Sequence, residues 1–531
     1  MAYAGNKALI PLGDFGLFTD VPPGDVPRGA LILARNVSFE TGLITKAPGD
    51  LRYNFNALSA GIVALFDWWP DSVTQRLIAA TSDGKIYRDI GDREFSLSVP
   101  IKTGLGTLTP KALFVEGGNE TAGREKKLFF FSSSAQVQVL SGDSATMSEI
   151  ASPAADWVSP NYPTVGVIHR NRLWAFMKQR AYASDTGNHE NHLSNNLTQA
   201  IFPGEGGSVI GAFVFKGRLF AFKEGGFVYY LNDDDPDSDN WNWLKLASNF
   251  GLSSPHGILQ ALDDMIAVNE SGSPISYNAT NALGEIESAD ILRTLQIEDY
   301  FRKNTNLSGL EFLHALYYEA KKTAFFTWRS SYRPTNDTLF VLDFNKQNPR
   351  PSFWSKVSAD CLALRKDNTK VLRPIYGSSD GFVYLMDRED RLTGGSAYTG
   401  EFKTGHMDFK WMGEDIASKN KLYDFLEVEF IPQGTWDLYV DVYIDGTFSE
   451  TIPFSMDVRD DGLASSPSAE YGFTLDVDPL GREEAQTVRM PLHGSGRRIS
   501  FHVRASGANQ NFAIASLNVG FRISAEQATK A

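Results

Sequence analysis

The clearest pattern of apolar and polar positions runs from Ile210 to Asp233, IGAFVFKGRLFAFKEGGFVYYLND, where three short apolar runs are separated by two breaks. Lys216-Gly217 is a tight-turn signal and Glu224-Gly225-Gly226 a slightly longer one, so the segment predicts an antiparallel meander. Its first run sets a small residue among large apolar ones, Gly211-Ala212-Phe213-Val214, and this signature returns along the chain. It recurs as Val63-Ala64-Leu65, Lys111-Ala112-Leu113, Gly166-Val167-Ile168, Gln260-Ala261-Leu262, His314-Ala315-Leu316 and Leu362-Ala363-Leu364. The middle residues, 64, 112, 167, 212, 261, 315 and 363, are 48, 55, 45, 49, 54 and 48 positions apart. The unit repeats.

A second apolar run follows each of several markers, as in Arg76-Leu77-Ile78-Ala79, Lys127-Leu128-Phe129-Phe130, Arg172-Leu173-Trp174-Ala175 and Arg218-Leu219-Phe220-Ala221. A third run follows that, best seen in Lys85-Ile86-Tyr87, Phe227-Val228-Tyr229, Thr338-Leu339-Phe340 and Phe382-Val383-Tyr384. A strand-rich period of this length predicts an all-β chain built on a β-propeller of about seven blades, with six or eight also compatible. Small residues on the first strand fit, because innermost strands crowd around the axis. The competing reading is a set of unrelated hairpins in a large sandwich.

In chain order, residues 1–60 interleave proline and glycine and predict an extended arm, whose apolar residues Leu9, Ile10, Leu12, Phe15, Leu17 and Phe18 are too many for a solvated linker. Leu12, Phe15, Leu17 and Phe18 are therefore candidates for an assembly interface. Asn36 to Lys46 reads as a hairpin turning at Glu40-Thr41-Gly42, able to supply the outer strand that closes a ring. The propeller is expected over 61–390. Residues 141–163 and 186–208 read as polar connections decorating a rim, and one helix is expected around Ala289 to Lys303.

After Arg391-Leu392-Thr393-Gly394-Gly395 the rhythm stops, and 395–531 predicts a β-sandwich. Trp436, Leu438, Val440, Val442 and Ile444 alternate with Asp437, Tyr439, Asp441 and Tyr443, the mark of a half-buried strand. Residues 456–486 read as a long loop between strands.

Composition narrows the function classes. The 531 residues are 42% apolar and 12% aromatic, ample for a large core and more than one domain. The single cysteine, Cys361, followed by Leu362 and Leu364, reads as a buried thiol and forms no intrachain disulfide. No apolar run is long enough to cross a bilayer as a helix, and no basic-then-apolar leader pattern opens the chain, so a soluble protein is expected. A net charge of -14 disfavours tight binding to nucleic acid.

Candidate chemistry is sparse. Asp233, Asp235, Asp237 and Asp239 alternate in the loop NDDDPDSDN, the kind of hard-oxygen spacing that calcium takes. Against this, Pro236 stiffens the loop and neither a turn glycine nor a bidentate glutamate follows, which favours a solvated acidic tip. His189-Glu190-Asn191-His192 misses the spacing of a zinc helix and reads as a polar surface loop. Gly204-Glu205-Gly206-Gly207 leads into a strand without a lysine and makes no phosphate cradle. Ser82-Asp83-Gly84 and Ser379-Asp380-Gly381 read as hairpin turns. No cofactor, metal or catalytic set is assigned.

Ala34-Arg35-Asn36-Val37 through Gly42, followed by Lys46-Ala47-Pro48-Gly49, together with the arm, the irregular propeller and the C-terminal sheets, resembles a virion family. This is the tail hub or nozzle group of short-tailed bacteriophages, which stabilises packaged DNA; Lys46 stands where relatives often have Arg. The resemblance implies a homo-oligomer of six copies below the portal and its adaptor proteins, carrying tail fibres or spikes. DNA would pass through the lumen without tight binding. It implies a structural, non-enzymatic role in the virion tail, with assembly in the host bacterial cytoplasm and no membrane insertion. An acidic lumen would let a polyanion slide. The alternative is a propeller that binds or cleaves bacterial surface polysaccharide, which as a hydrolase would need two carboxylates across a cleft.

Overall fold

The computed structural model describes residues 6–40, 42–91, 93–119, 125–193, 197–247, 251–280, 286–346, 348–367, 369–434, 436–456 and 485–524. The chain forms two compact units: Met1–Gly49 with Asp343–Trp354 and Glu389–Ala531, and Asp50–Leu342 with Ser355–Arg388.

The second unit is the propeller. Among the described residues it holds seven up-and-down repeats, whose first strands are Ile62–Trp68, Leu113–Asn119, Val165–His169, Val209–Phe215, Ile258–Ala261, Ala315–Tyr318 and Cys361–Lys366. Six of the predicted small-residue markers lie in these strands and the seventh, Ala112, immediately precedes one. Five repeats are separate four-stranded sheets, the seventh lies in a six-stranded sheet, and the sixth in chain order supplies Ala315–Tyr318, Thr323–Trp328 and Thr338–Asp343. Neighbouring sheets bury one another's faces. Ile78 and Ala80 pack with Leu128 and Phe130, and Phe220 and Phe222 pack with Met265 and Ala267. Each buried Ile, Leu, Phe or Met among them contributes roughly 1.5–3 kcal/mol, so the interfaces between blades hold the ring.

The ring closes where Ile62–Trp68 meets Cys361–Lys366. Leu77 and Ala79 of the first blade share a core with Cys361, Ile375 and Val383 of the seventh. The approach is close: a Cβ on Gly377 would stand 2.6 Å from Ile62 Cγ2 and 2.8 Å from Cys361 Sγ. The seventh blade takes its fourth strand, Gly49–Arg52, from the other end of the sequence. The expected hairpin at 36–46 is not this strand. The hairpin forms, as Val37–Glu40 and Leu43–Lys46, but its second strand pairs with Ala513–Ile523 in the other unit.

Three groups lock the closing strand. Asp50 accepts from Lys356 Nζ at 3.1 Å and from the Tyr376 hydroxyl at 3.0 Å, with both charged side chains almost fully buried. Tyr53 donates to Asp89 and receives Arg365 Nη2 at 3.1 Å. Asn54 Oδ1 accepts the Val383 N–H at 2.8 Å, while its amide donates to the Gly381 carbonyl. Burial raises the Tyr53 phenol well above its ordinary value, reinforced by Asp89, so the hydroxyl remains a donor.

The first unit consists of two largely antiparallel sheets. One contains Asn6–Pro11, Val37–Glu40, Leu43–Lys46, Lys421–Phe430, Gln486–Pro491 and Ala513–Ile523; in the other, Leu31–Arg35, Gly400–Thr404, Ile499–Ala505, Asp437–Ile444 and Thr447–Ser455 are successive neighbours. Their inner faces meet through Phe430 and Phe454, with ring centroids 5.8 Å apart. The described residues from Asn6 to Gly49 are thus not the separate arm expected. Ala8 and Ile10 are buried while Lys7 and Leu9 point outward, a strand pattern matched in register to Ala513–Ile523. The excess of apolar residues is explained by a partner within the same chain.

Other boundaries also move. The 141–163 and 186–208 stretches carry fourth strands of their blades, Ser148–Glu149 and Thr198–Ala200, short polar edges that resemble loops in sequence. The single expected helix is two, Ile291–Thr294 and Glu298–Asn304. Most of the loop expected at 456–486 lies outside the described residues.

The closing strand carries a quantitative expectation. Asp50→Ala leaves Lys356 buried without this carboxylate and should cost about 3 kcal/mol or more in urea unfolding. A loss below ~1 kcal/mol would show that the pair does not hold the seam.

Candidate functional site

The first strands place their small residues around the propeller axis, and the space they leave is a set of cavities. One of about 390 Å³ is lined by Ala64, Phe66, Leu113, Phe114, Ala363 and the rings of His256 and His314. A second, about 590 Å³, is lined by Leu259, Ala315, Tyr317, Glu319 and others; the two share Leu364, Lys366 and Leu372. A third of about 360 Å³ has a mixed lining in which Lys111, Ser132, Ser208 and Glu311 stand beside Leu108 and Ile210.

His256 and His314 stack with centroids 3.9 Å apart and planes inclined by 15°. His256 Nε2 lies 2.8 Å from the Ala112 carbonyl and His314 Nε2 lies 2.7 Å from that of Pro110. A carbonyl only accepts, so each Nε2 carries its proton. The Nδ1 of His314 can then accept the Leu362 N–H, 3.4 Å away. The pair ties segments of the second, fifth, sixth and seventh repeats together beside the axis. Burial pushes His256 down to about 4 and His314 well below its ordinary value, the latter also because His256 is its neighbour. Neutral imidazoles with engaged protons act as structural cross-links here, not as acids or bases near pH 7.

Asp67, beside the first cavity, is similarly occupied. Its oxygens accept from Trp69 Nε1 at 3.0 Å, Gln75 Nε2 at 2.7 Å and the Lys366 N–H at 3.1 Å.

The acidic loop does not converge on a centre. Asp233 is buried and accepts from His169 Nε2 at 2.6 Å and Arg170 Nε at 2.8 Å. Burial raises its carboxyl, but the hydrogen bonds from Arg170 and His169 outweigh that and hold it below the usual range. Asp235 accepts the Asp237 N–H and the Asn240 amide, and Asp237 caps a short turn by accepting the Asp239 N–H at 3.1 Å. The alternation seen in sequence supplies turn acceptors. Among the described residues, no group of three or more His, Cys, Asp or Glu is arranged to hold a metal.

The 189–192 segment is not the surface loop expected. His189 and His192 are buried between the second and third repeats, where His189 Nδ1 accepts the Gly118 N–H at 2.9 Å and His192 packs on Trp157. Glu190 pairs with Lys127. Burial lowers His192 to about 4. Cys361 is buried at the ring seam, and burial raises its thiol far above the ordinary value. At the glycine run, the Ser208 N–H is already donated to the Glu224 carboxylate at 3.1 Å.

Of the four interface candidates, Leu12 and Leu17 are buried within the two-sheet unit. Leu12 N–H donates to the Ala515 carbonyl and Leu17 N–H to that of Pro351. Phe18 is half-buried, and Phe15 is 37% exposed. Only the two phenylalanines retain surface for a neighbour.

Fold and cavities define a β-propeller protein with a two-sheet domain. No protein-family model and no curated protein matches the sequence. Among solved structures, the computationally designed Ika8 protein matches 64% of this chain and 99% of its own at 12% identity and a TM-score of 0.37. The extracellular domain of a protein described as a hybrid two component system, from B. thetaiotaomicron, matches 78% of this chain and 49% of its own at 10% identity and a TM-score of 0.42. An exo-beta-1,3-galactanase from Phanerochaete chrysosporium matches 88% and 96% at 11% identity and a TM-score of 0.27. Likeness at these levels carries no functional argument.

The histidine pair makes stability pH-dependent. A histidine near 6.5 when unfolded and near 4 when folded lets the unfolded chain bind more protons below pH 6.5, so its stabilising contribution is complete above 6.5 and falls as pH drops towards 4. The difference in urea-unfolding stability between pH 7.5 and pH 5 should shrink by ~2 kcal/mol in His256→Asn. An unchanged difference would show that His256 titrates alike in both states.

Proposed function

We propose that this chain is a structural protein of a phage tail, a hub or nozzle subunit that retains the genome and then conducts it. The observation that carries the reading is the motif from Ala34 to Gly49, whose residues meet specific backbone demands. Asn36 adopts φ 51°, a left-handed conformation that asparagine tolerates, and its amide donates to the Thr399 carbonyl at 2.7 Å. Lys46 is fully buried, lies 4.4 Å over the Tyr398 ring and reaches the Gly507 carbonyl. A Cβ on Gly49 would collide with the Asp390 carbonyl. The motif leads the chain directly into the strand that closes the propeller, a reason for its residue types to persist in a family of this architecture.

The net charge of -14 supports the same reading, since an acidic wall offers DNA few counterion-releasing contacts. In this proposal six copies surround the lumen, the portal-adaptor proteins sit above and fibres or spikes attach outside. Phe15 and the half-buried Phe18 offer apolar surface for a neighbouring subunit.

Light scattering on the intact protein tests the ring. Deleting the N-terminus would remove the Asn6–Pro11 strand from its sheet, so Phe15→Asp is the cleaner perturbation. The expected result is a species of about six subunits that dissociates at higher concentration in Phe15→Asp than in the parent. A monomer at every concentration, unaffected by the substitution, would contradict a self-assembling ring.

A further inference from the structure

In an up-and-down blade the start of the first strand and the end of the second lie at the same face of the ring. The cavity of about 360 Å³ is built from such positions. Ser132 directly follows the second strand of the second repeat, Glu125–Phe131, and Glu224 follows that of the fourth, Arg218–Lys223. Lys111, Thr164, Ser208, Ser253 and Glu311 precede the first strands of the second to sixth repeats in turn. Five consecutive repeats therefore converge on one mouth of the axis.

Two of the groups that line this cavity are buried and unpaired. The Oγ atoms of Ser132 and Ser253 meet no hydrogen-bond partner among the described residues, and Ser132 is only 6% exposed. They come from the second and fifth repeats, so the same cavity collects both. A hydroxyl buried without a partner is costly, and a ligand that pairs with it recovers the loss.

The remaining lining restricts what that ligand is. Lys111 forms an ion pair with Glu311, and its ammonium lies 5.7 Å from the centroid of the Phe312 ring. The other charged group, Glu224, accepts the Ser208 N–H. One neutralised cation beside two carboxylates leaves an anionic ligand no free positive partner. No aromatic side chain lines the cavity among the described residues, so a nucleobase would find no ring to stack on. What remains is hydroxyls, since seven of the lining residues are serine or threonine, set against aliphatic Leu108, Val209 and Ile210. A hydroxyl both donates and accepts, and so do the hydroxyls of a sugar, whose C–H faces suit aliphatic surface. The volume lies at the lower end of the range of about 300–1,000 Å³ for small-molecule pockets. It suits a short ligand.

We propose that this cavity binds a neutral sugar of one or two rings. Ser132 and Ser253 exchange hydrogen bonds with its hydroxyls at the inner wall. Lys111 and Glu311, whose side chains are 44% and 47% exposed, do so at the outer edge, while Leu108 and Ile210 meet its C–H faces. The ion pair positions both charged ends before the ligand arrives, which lowers the ordering cost of binding. The site is formed within the propeller unit alone, so it stands whether or not the chain assembles as a ring.

Saturation-transfer NMR on the full chain tests it, with glucose, galactose, mannose, rhamnose, N-acetylglucosamine, lactose and maltose as probes and inorganic phosphate and citrate as competitors. At least one of the sugars should receive transfer, and neither anion should displace it. Ser132→Ala combined with Ser253→Ala should weaken binding about tenfold or more. Because both hydroxyls are unpaired in the free protein, the double variant should unfold thermally no lower than the parent. Absence of transfer to every sugar would overturn the proposal, as would binding undiminished in the double variant. Displacement by phosphate or citrate would also overturn it and assign the cavity to anions. A lowered unfolding temperature in the double variant would make the two hydroxyls structural and equally contradict it.

Discussion

A propeller ring has a seam, and everything the blades gain by burying one another depends on that seam staying closed. Here it is closed without a covalent bond. Gly49–Arg52 joins Val383–Arg388, more than three hundred residues away in sequence, and Asp50, Tyr53 and Asn54 anchor it through Lys356, Tyr376, Asp89, Arg365 and the backbone near Val383. An ion pair this buried gains little over a well-packed apolar pair in net stability, but losing either partner is expensive. The arrangement therefore fixes which strand fills the seventh blade.

The histidine stack plays a related part beside the axis. Small residues on the first strands keep the ring narrow, and the space that remains is bridged by two neutral imidazoles hydrogen-bonded to the Pro110 and Ala112 carbonyls. Closure at the outer edge and cross-linking near the axis restrain the blades from both sides. The two-sheet unit has its own logic: strands from both ends of the chain share a sheet, as Asn6–Pro11 lies against Ala513–Ile523.

Much of the propeller was legible because its signals are local. The spacing of Ala64, Ala112, Val167, Ala212, Ala261, Ala315 and Ala363 located the first strands, since crowding at the axis selects small side chains wherever the fold repeats. The alternation through Tyr439 and Tyr443 likewise placed one strand and its outward face. Partner choice was not legible. Nothing in Asn6–Pro11 names a strand five hundred residues later, so in sequence a half-buried strand looks like an arm with a foreign partner. His189 and His192 look polar in isolation and are buried only because the second and third blades meet there. The aspartates of 233–239 kept their alternation, but turn hydrogen bonds and the ion pair to Arg170 took up the oxygens that a cation would need.

Hydrogen exchange followed by mass spectrometry measures the closure most directly. If the seam is part of the cooperative core, the amides of 383–388 and 50–54 exchange only with global unfolding, at the rate of inner strands such as Arg218–Lys223. Exchange of 383–388 and 50–54 much faster than the inner strands, under conditions that leave the other blades protected, would contradict the account and make the closing strand an ornament of the ring.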